Sequence, residues 1–185
     1  MAESAVHSAI RACAAERHFR ADTVERWLLL ADDDGAALLE LAVELRLGDN
    51  QLRDLWDWAE EIASRLEFGI AAVLTEGAVR AARDRVGSRN DKLKAVKAAL
   101  RRMRFPHLAR QEDRMGALVK QLDLPSAVRL EWPAFLEGDT LSIAFDVRSP
   151  AALAAVAAAL AEAAQRPECT TLFALLDGEP TEGAA

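Results

Sequence analysis

Val128-Arg129-Leu130-Glu131-Trp132 and Leu141-Ser142-Ile143-Ala144-Phe145-Asp146-Val147 alternate apolar with polar or small side chains, and Pro133 and Glu137-Gly138-Asp139 lie between them. A period of two bounded by Gly and Pro reads as a pair of antiparallel strands. Pro133 has no N–H for a ladder, so it belongs at a bulge, an end or an edge. Downstream, Ser149-Pro150 supplies a cap and an N1 proline for an Ala-rich helix, with Leu153, Val156, Ala157 and Leu160 inward. A short helix over 170–176 then ends at Gly178, and 179–185 reads as a flexible tail.

Upstream of Leu124 the apolar period is three to four instead. Val6, Ile10, Cys13 and Arg17 share one line of a helix over 3–19. Asp22 or Thr23 is placed to cap a second helix carrying Val24, Trp27 and Leu28 inward. Asp32-Asp33-Asp34 puts negative charge at the start of a third, where the helix dipole favours it; its stripe is Leu38, Leu41, Ala42 and Leu45. Asn50 is the expected cap of the clearest amphipathic helix, with Leu52, Leu55, Trp56, Ala59, Ile62, Ala63 and Leu66 inward and Asp54, Asp57, Glu60 and Glu61 outward. Gly69 breaks it, and short helical pieces follow at 70–74 and 79–86. Asn90 caps the next helix, which buries Leu93, Val96, Leu100 and Met103. Pro106 forces a turn at Phe105, and Leu108, Met115, Leu118, Val119 and Leu122 form one more apolar face. The expected fold is therefore α+β, mostly α. A helical domain over 1–124 with a basic segment at 80–120 precedes a β-hairpin–helix unit over 125–178.

The 185 residues are 51% hydrophobic and 29% charged, enough apolar material to offset chain entropy. Two cysteines, Cys13 and Cys169, are too few for a disulfide framework. No run of about 18 apolar residues offers a membrane span, and no basic leader precedes an apolar run. A cytoplasmic protein is expected.

Charge is segregated. The window from Arg80 to Lys120 holds 13 Lys/Arg and four acids, a net +9, while the rest of the chain sums to −16. Lys94, Lys97, Arg101 and Arg104 fall within about 80° of one another around their helix, and Arg89 and Lys92 stand at its start. These six are the candidate docking residues, facing an acidic protein partner or the phosphates of a nucleic acid. Pairing with acidic helices of the same fold is the competing reading. Phe105 is the one aromatic interleaved with them, which gives single-strand stacking no support.

Catalytic and cofactor patterns are not found. Phosphate-loop, dinucleotide, nucleophile-elbow and zinc-protease motifs do not occur. His7 and His18 are about three turns apart on a helix, too far to share a metal, and His107 sits alone in a basic turn. A calcium loop aligned on Gly35 puts Leu30 and Leu41 at ligand positions, which fails. Cys13 lies on the side shared with Ile10 and reads as a buried thiol. Trp58 lies off its helix's main stripe, as an anchor for a partner or as the stripe's edge. Expected, then, are no catalytic residues, no metal and no cofactor.

From Met115 to Leu160 the order is an apolar helix, a strand, a linker with Gly138, the strand Leu141–Phe145, and Ser149 opening a helix. This stretch resembles the C-terminal dimerisation region of ParB-type partition proteins. The resemblance implies dimerisation through the strands and non-specific DNA contact; nucleotide-binding motifs of that family are not seen. A lone two-stranded sheet is marginal in water, and its free edges suit pairing with a second copy. Leu141, Ile143, Phe145 and Trp132 are the candidate self-association residues. The leading expectation is a non-enzymatic homodimeric interaction or regulatory protein that docks through its basic helix. A nucleic-acid-associated protein, and an enzyme subunit whose site a partner completes, are the alternatives.

Overall fold

The apolar stripes close on one another in two places along the chain. In the computed structural model, which describes residues 4–178, one compact unit ends at Phe105 and a second begins at Pro106. Among the described residues there are ten α-helices and one two-stranded antiparallel sheet, a mostly-α α+β fold. The predicted tail, 179–185, lies outside the described residues.

The first unit holds α1 (Ala5–Arg17), α2 (Ala21–Leu28), α3 (Asp32–Glu44), α4 (Asp49–Leu66), α5 (Ile70–Leu74), α6 (Gly77–Asp84) and α7 (Arg89–Arg104). Its core takes Ile10 from α1, Trp27 from α2, Leu38 and Leu41 from α3, and Leu52, Leu55, Trp56 and Ile62 from α4, all fully buried. Trp27 lies 6.2 Å from the Phe19 ring and 6.4 Å from Trp56. Its Nε1–H donates to the Gly35 carbonyl at 3.1 Å, so the indole's polar atom is satisfied in the apolar interior. At Gly35 a Cβ would stand 3.4 Å from Ile10 Cδ1 and 3.6 Å from Val6 Cγ1, ordinary van der Waals contact, so the packing of α3 on α1 does not depend on the glycine.

Helix starts differ from expectation in a consistent way. Arg20, not Asp22 or Thr23, is the residue at the α2 N-cap; Asp22 lies in the first turn and Thr23 is buried one residue further. Gly48 replaces Asn50 ahead of α4, its N–H donating to Gln51 Oε1 at 3.3 Å. Ser88 replaces Asn90 ahead of α7, with Asp91 closing a reciprocal box: Asp91 N–H donates to Ser88 Oγ, and Ser88 N–H donates to Asp91 Oδ2. Each helix starts earlier than the sequence suggests because the expected cap is itself taken into the first turn. Leu66, expected inward, is exposed, and Val86 falls outside α6 altogether.

Two helix ends are closed by arginines. Arg89 reaches from the start of α7 to the end of α3, donating from Nε to the Leu45 carbonyl at 2.5 Å and from Nη2 to the Arg46 carbonyl at 2.9 Å. Arg65, at the end of α4, donates to the Arg104 carbonyl at 2.6 Å and to that of Met103, at the end of α7. The last carbonyls of a helix lack intrahelical donors and carry the negative end of its dipole, so a guanidinium satisfies both needs.

The second unit holds α8 (Pro106–Gln121), β1 (Val128–Glu131), a 3₁₀ turn (Ala134–Leu136), β2 (Ser142–Phe145), α9 (Pro150–Ala163) and α10 (Pro167–Leu176). The strand register sets Val128 opposite Phe145 and Leu130 opposite Ile143. Pro133 follows the strand, so the ladder never needs its missing N–H. Ser149 caps α9 with Pro150 at N1, as the sequence predicts, its Oγ accepting from Ala152 N–H at 3.1 Å. Met115, Leu122, Ala163, Leu172, Leu175 and Leu176 form the core. The expected boundary at 124 moves to Phe105/Pro106, because the buried side of α8 finds its apolar partners on α10. Leu153 and Ala157, expected inward, are exposed; α9 buries only Val156 and Ala163.

Replacing Arg89 by Ala strips the α3 terminus of its donors and is expected to cost about 2 kcal/mol in urea unfolding. Lys should recover only part of this, since an ammonium cannot span both carbonyls as the planar fork does; a Lys variant matching wild type would refute the role. Ser88 holds the Asp91 carboxyl below its ordinary value of 3.8. A depressed carboxylate stabilises above the usual carboxylate range and loses that contribution as pH falls through the lowered pKa. The stability gap between wild type and Asp91→Asn should therefore shrink below about pH 4, read from urea midpoints across pH.

Candidate interaction surfaces

The basic stripe of α7 is folded back onto acidic residues of its own unit. Lys97 Nζ stands 3.5 Å from Asp54 Oδ2, and Arg104 Nη2 stands 2.6 Å from Glu61 Oε2, both acids on the outer face of α4. Lys92 lies 3.7 Å from Glu44, which also receives Arg83 at 2.7 Å. Arg89 is occupied by the α3 carbonyls and by Gln51 Oε1 at 3.1 Å. Lys94 is exposed and Arg101 half-buried. An open line of cations is therefore not what the fold presents: Arg89, Lys92, Lys97 and Arg104 all have partners within the unit. The acids of α4 and the cations of α7 meet because these helices pack together with their apolar stripes inward, which sets the flanking charged lines side by side.

Cations also stack on two indoles of α4, the buried Trp56 and the half-buried Trp58. The Arg26 guanidinium sits 4.1 Å above the Trp56 ring while donating to Asp57 at 2.7 Å and Glu60 at 2.5 Å. Trp58 is half-buried, with Arg104 5.8 Å from its ring centroid. Both indoles thus serve as flat seats for cations that acidic neighbours hold in place.

Chemistry-bearing side chains are scattered. His7 lies 3.8 Å from Asp32, and His107 Nδ1 lies 2.9 Å from Arg110. Cys13 is buried and Cys169 half-buried, both free thiols. Among the described residues, no group of three His, Cys, Asp or Glu side chains is placed to hold a metal ion, and no helix is long and apolar enough to cross a membrane.

The strand pair is more open. All four residues of β2 are exposed, Ile143 by 48% and Phe145 by 36%, and no third strand joins the sheet among the described residues. Leu141 and Trp132 are half-buried and pack on the unit's own core, while Ile143 and Phe145 are the more exposed of the sequence's four self-association candidates. Beside the strand is an apolar recess of about 230 Å³, bordered by Leu122, Leu130, Leu141, Ile143, Leu160 and Phe173.

A third surface escaped the charge reading. An open groove of about 610 Å³ runs between α6 and α7, with Ala78, Ala81 and Ala82 of α6 and Arg85 just past its end on one side, and Ala95, Ala98, Ala99 and Arg102 of α7 on the other. Both walls carry the same spacing, Ala at i, i+3 and i+4 and Arg at i+7. That repeated pattern was its available signal.

No protein-family model, curated protein or solved structure matches the chain.

Reversing both cations, Lys97→Glu with Arg104→Glu, should lower stability by about 1 kcal/mol in low salt by setting like charges against Asp54 and Glu61. The loss should diminish in high salt. A double variant as stable as wild type in low salt would show that the pairs do not form.

Proposed function

We propose that the chain is a non-enzymatic interaction protein that self-associates, its second unit pairing with the same unit of another copy along β2. The observation that carries this reading is the exposure of all four residues of β2, a strand of Ser-Ile-Ala-Phe with no charged side chain. Open strand edges are usually blunted by Lys, Pro or inward-pointing charges. The β1 strand carries Arg129 and Glu131, whereas β2 carries nothing that resists a partner.

Symmetry narrows the pairing. An isologous antiparallel pair has a two-fold axis normal to the sheet, which keeps each side chain on its own face. Opposed residues must then share parity. Ile143 meets either its own copy or Phe145 of the other chain, an apolar pair that stabilises a sheet by roughly 0.2–1 kcal/mol beyond the ladder itself. The resulting four-stranded sheet would escape the marginal stability of a lone hairpin. It would also bring apolar cover to the side of the sheet where Ile143 borders the recess.

Sedimentation equilibrium is the test. Wild-type protein should run at twice its 20.1 kDa chain mass at tens of micromolar. Ile143→Lys with Phe145→Lys should run as a monomer of unchanged circular dichroism. A wild-type monomer, or a double-lysine variant that stays dimeric, would overturn the reading.

A further inference from the structure

We propose that α9 forms the second half of the self-association surface, packing antiparallel against α9 of the same second copy; this rests on the β2 pairing read above. From Pro150 to Ala161 the helix has no charged or polar side chain, twelve residues of Ala, Leu, Val and Pro alone. A helix that is apolar on every side is ordinarily buried. Here only Val156 and Ala163 are buried, and Leu153 is 47% exposed. Ala151, Ala155 and Ala158, all exposed, recur at intervals of four and three and make one open line along the helix.

Charge, direction and size select a second copy as the occupant. An uncharged face sets no like charges together when it meets itself, and its methyl groups let two helix axes approach to about 8 Å. Direction follows from symmetry. Four residues, Asp146–Ser149, connect β2 to α9, and ten residues after Pro150 Leu160 borders the same recess as Ile143, so α9 runs back alongside β2. A two-fold axis normal to the sheet reverses that direction in the other copy and makes the helices antiparallel. Size requires the helix: a four-residue strand edge is about 13 Å long and covers far less than the roughly 800 Å² each partner gives a stable interface. The fourteen residues of α9 add about 21 Å of apolar surface beside it. A lipid surface fits less well, because about 20 apolar residues are needed to span a bilayer and the Lys/Arg-rich face of an interfacial helix is missing between Pro150 and Ala161.

Disulfide trapping and sedimentation equilibrium on the full chain test this. In a Cys169→Ser background, Ala151→Cys, Ala154→Cys, Ala155→Cys and Ala158→Cys are oxidised one at a time, beside Ala81→Cys in the first unit as control. Antiparallel helices bring one position against its own copy near the axis, so one of the four should form a covalent dimer at least tenfold faster than the control. Ala155→Lys with Ala158→Lys should weaken the dimer at least tenfold with unchanged circular dichroism. Trapping no faster than the control, or equal trapping at all four positions as parallel helices would give, overturns the proposal, as does a double-lysine variant that pairs like wild type. Co-sedimentation of wild type with phosphatidylcholine vesicles that the α9 lysines abolish would give the face to lipid and overturn it too. The two readings fail separately. A monomeric Ile143→Lys with Phe145→Lys variant beside undiminished pairing of the α9 lysines removes only the α9 contact. A dimer that survives the β2 lysines but not those of α9 removes the β2 reading instead.

Discussion

The first unit depends on how the α3–α4 junction satisfies its carbonyls. Leu45 and Leu47 are fully buried, and between them Arg46 takes a left-handed conformation at φ 45°. That reversal buries two leucines within three residues and leaves the carbonyls of 45–47 without helical donors. Arg89 serves Leu45 and Arg46, and Arg17 lies 3.5 Å from the Leu47 carbonyl. An arginine from the start of α7 and one from the end of α1 thereby fix the turn on which α4 is launched. Unpaired carbonyls there would be costly to bury, whereas a guanidinium satisfies several at once. Part of the positive charge gathered in mid-sequence is thus explained without any partner.

What the sequence made legible follows from periodicity. The stripes Leu38–Leu41–Ala42–Leu45 and Leu52–Leu55–Trp56–Ala59–Ile62–Ala63 are buried as read, because a face with apolar residues at every turn has one way to leave water. The strand pair and the Ser149-Pro150 cap were equally local and equally plain. The charges were not. Lys97 and Asp54 are 43 residues apart, and Arg104 and Glu61 meet across the same gap. No local rule reports such a meeting; it follows from which flanks α4 and α7 turn toward each other. A count of basic residues on one helix cannot distinguish a stripe awaiting a partner from one that already has it.

Caps and the unit boundary were illegible for a related reason. Ser88 and Asn90 are both good caps in isolation, and Asp91 decides between them by closing the box with the residue three before it. Phe105-Pro106 was read as a turn within a helical domain, yet it divides the two units. The buried face of α8, with Ala109 and Met115, is indistinguishable in pattern from those of the first unit, and only α10, some fifty residues on, identifies where it belongs.

Self-neutralisation of the α7 stripe also separates two kinds of surface. Where long cations lie beside long acids, as along α4 and α7, each side chain covers its neighbour and the fold presents a mixed-charge exterior of low specificity. Between α6 and α7 the groove is lined by Ala78, Ala81, Ala82, Ala95, Ala98 and Ala99, with Arg85, Val86 and Arg102 beside them. The two faces of α7 therefore do different work within one sixteen-residue helix. One pairs with α4 and closes the unit, while the other is kept small. In the second unit β2, Ser-Ile-Ala-Phe, likewise carries no charged side chain. Both surfaces carry small or neutral residues where the rest of the exterior uses charge.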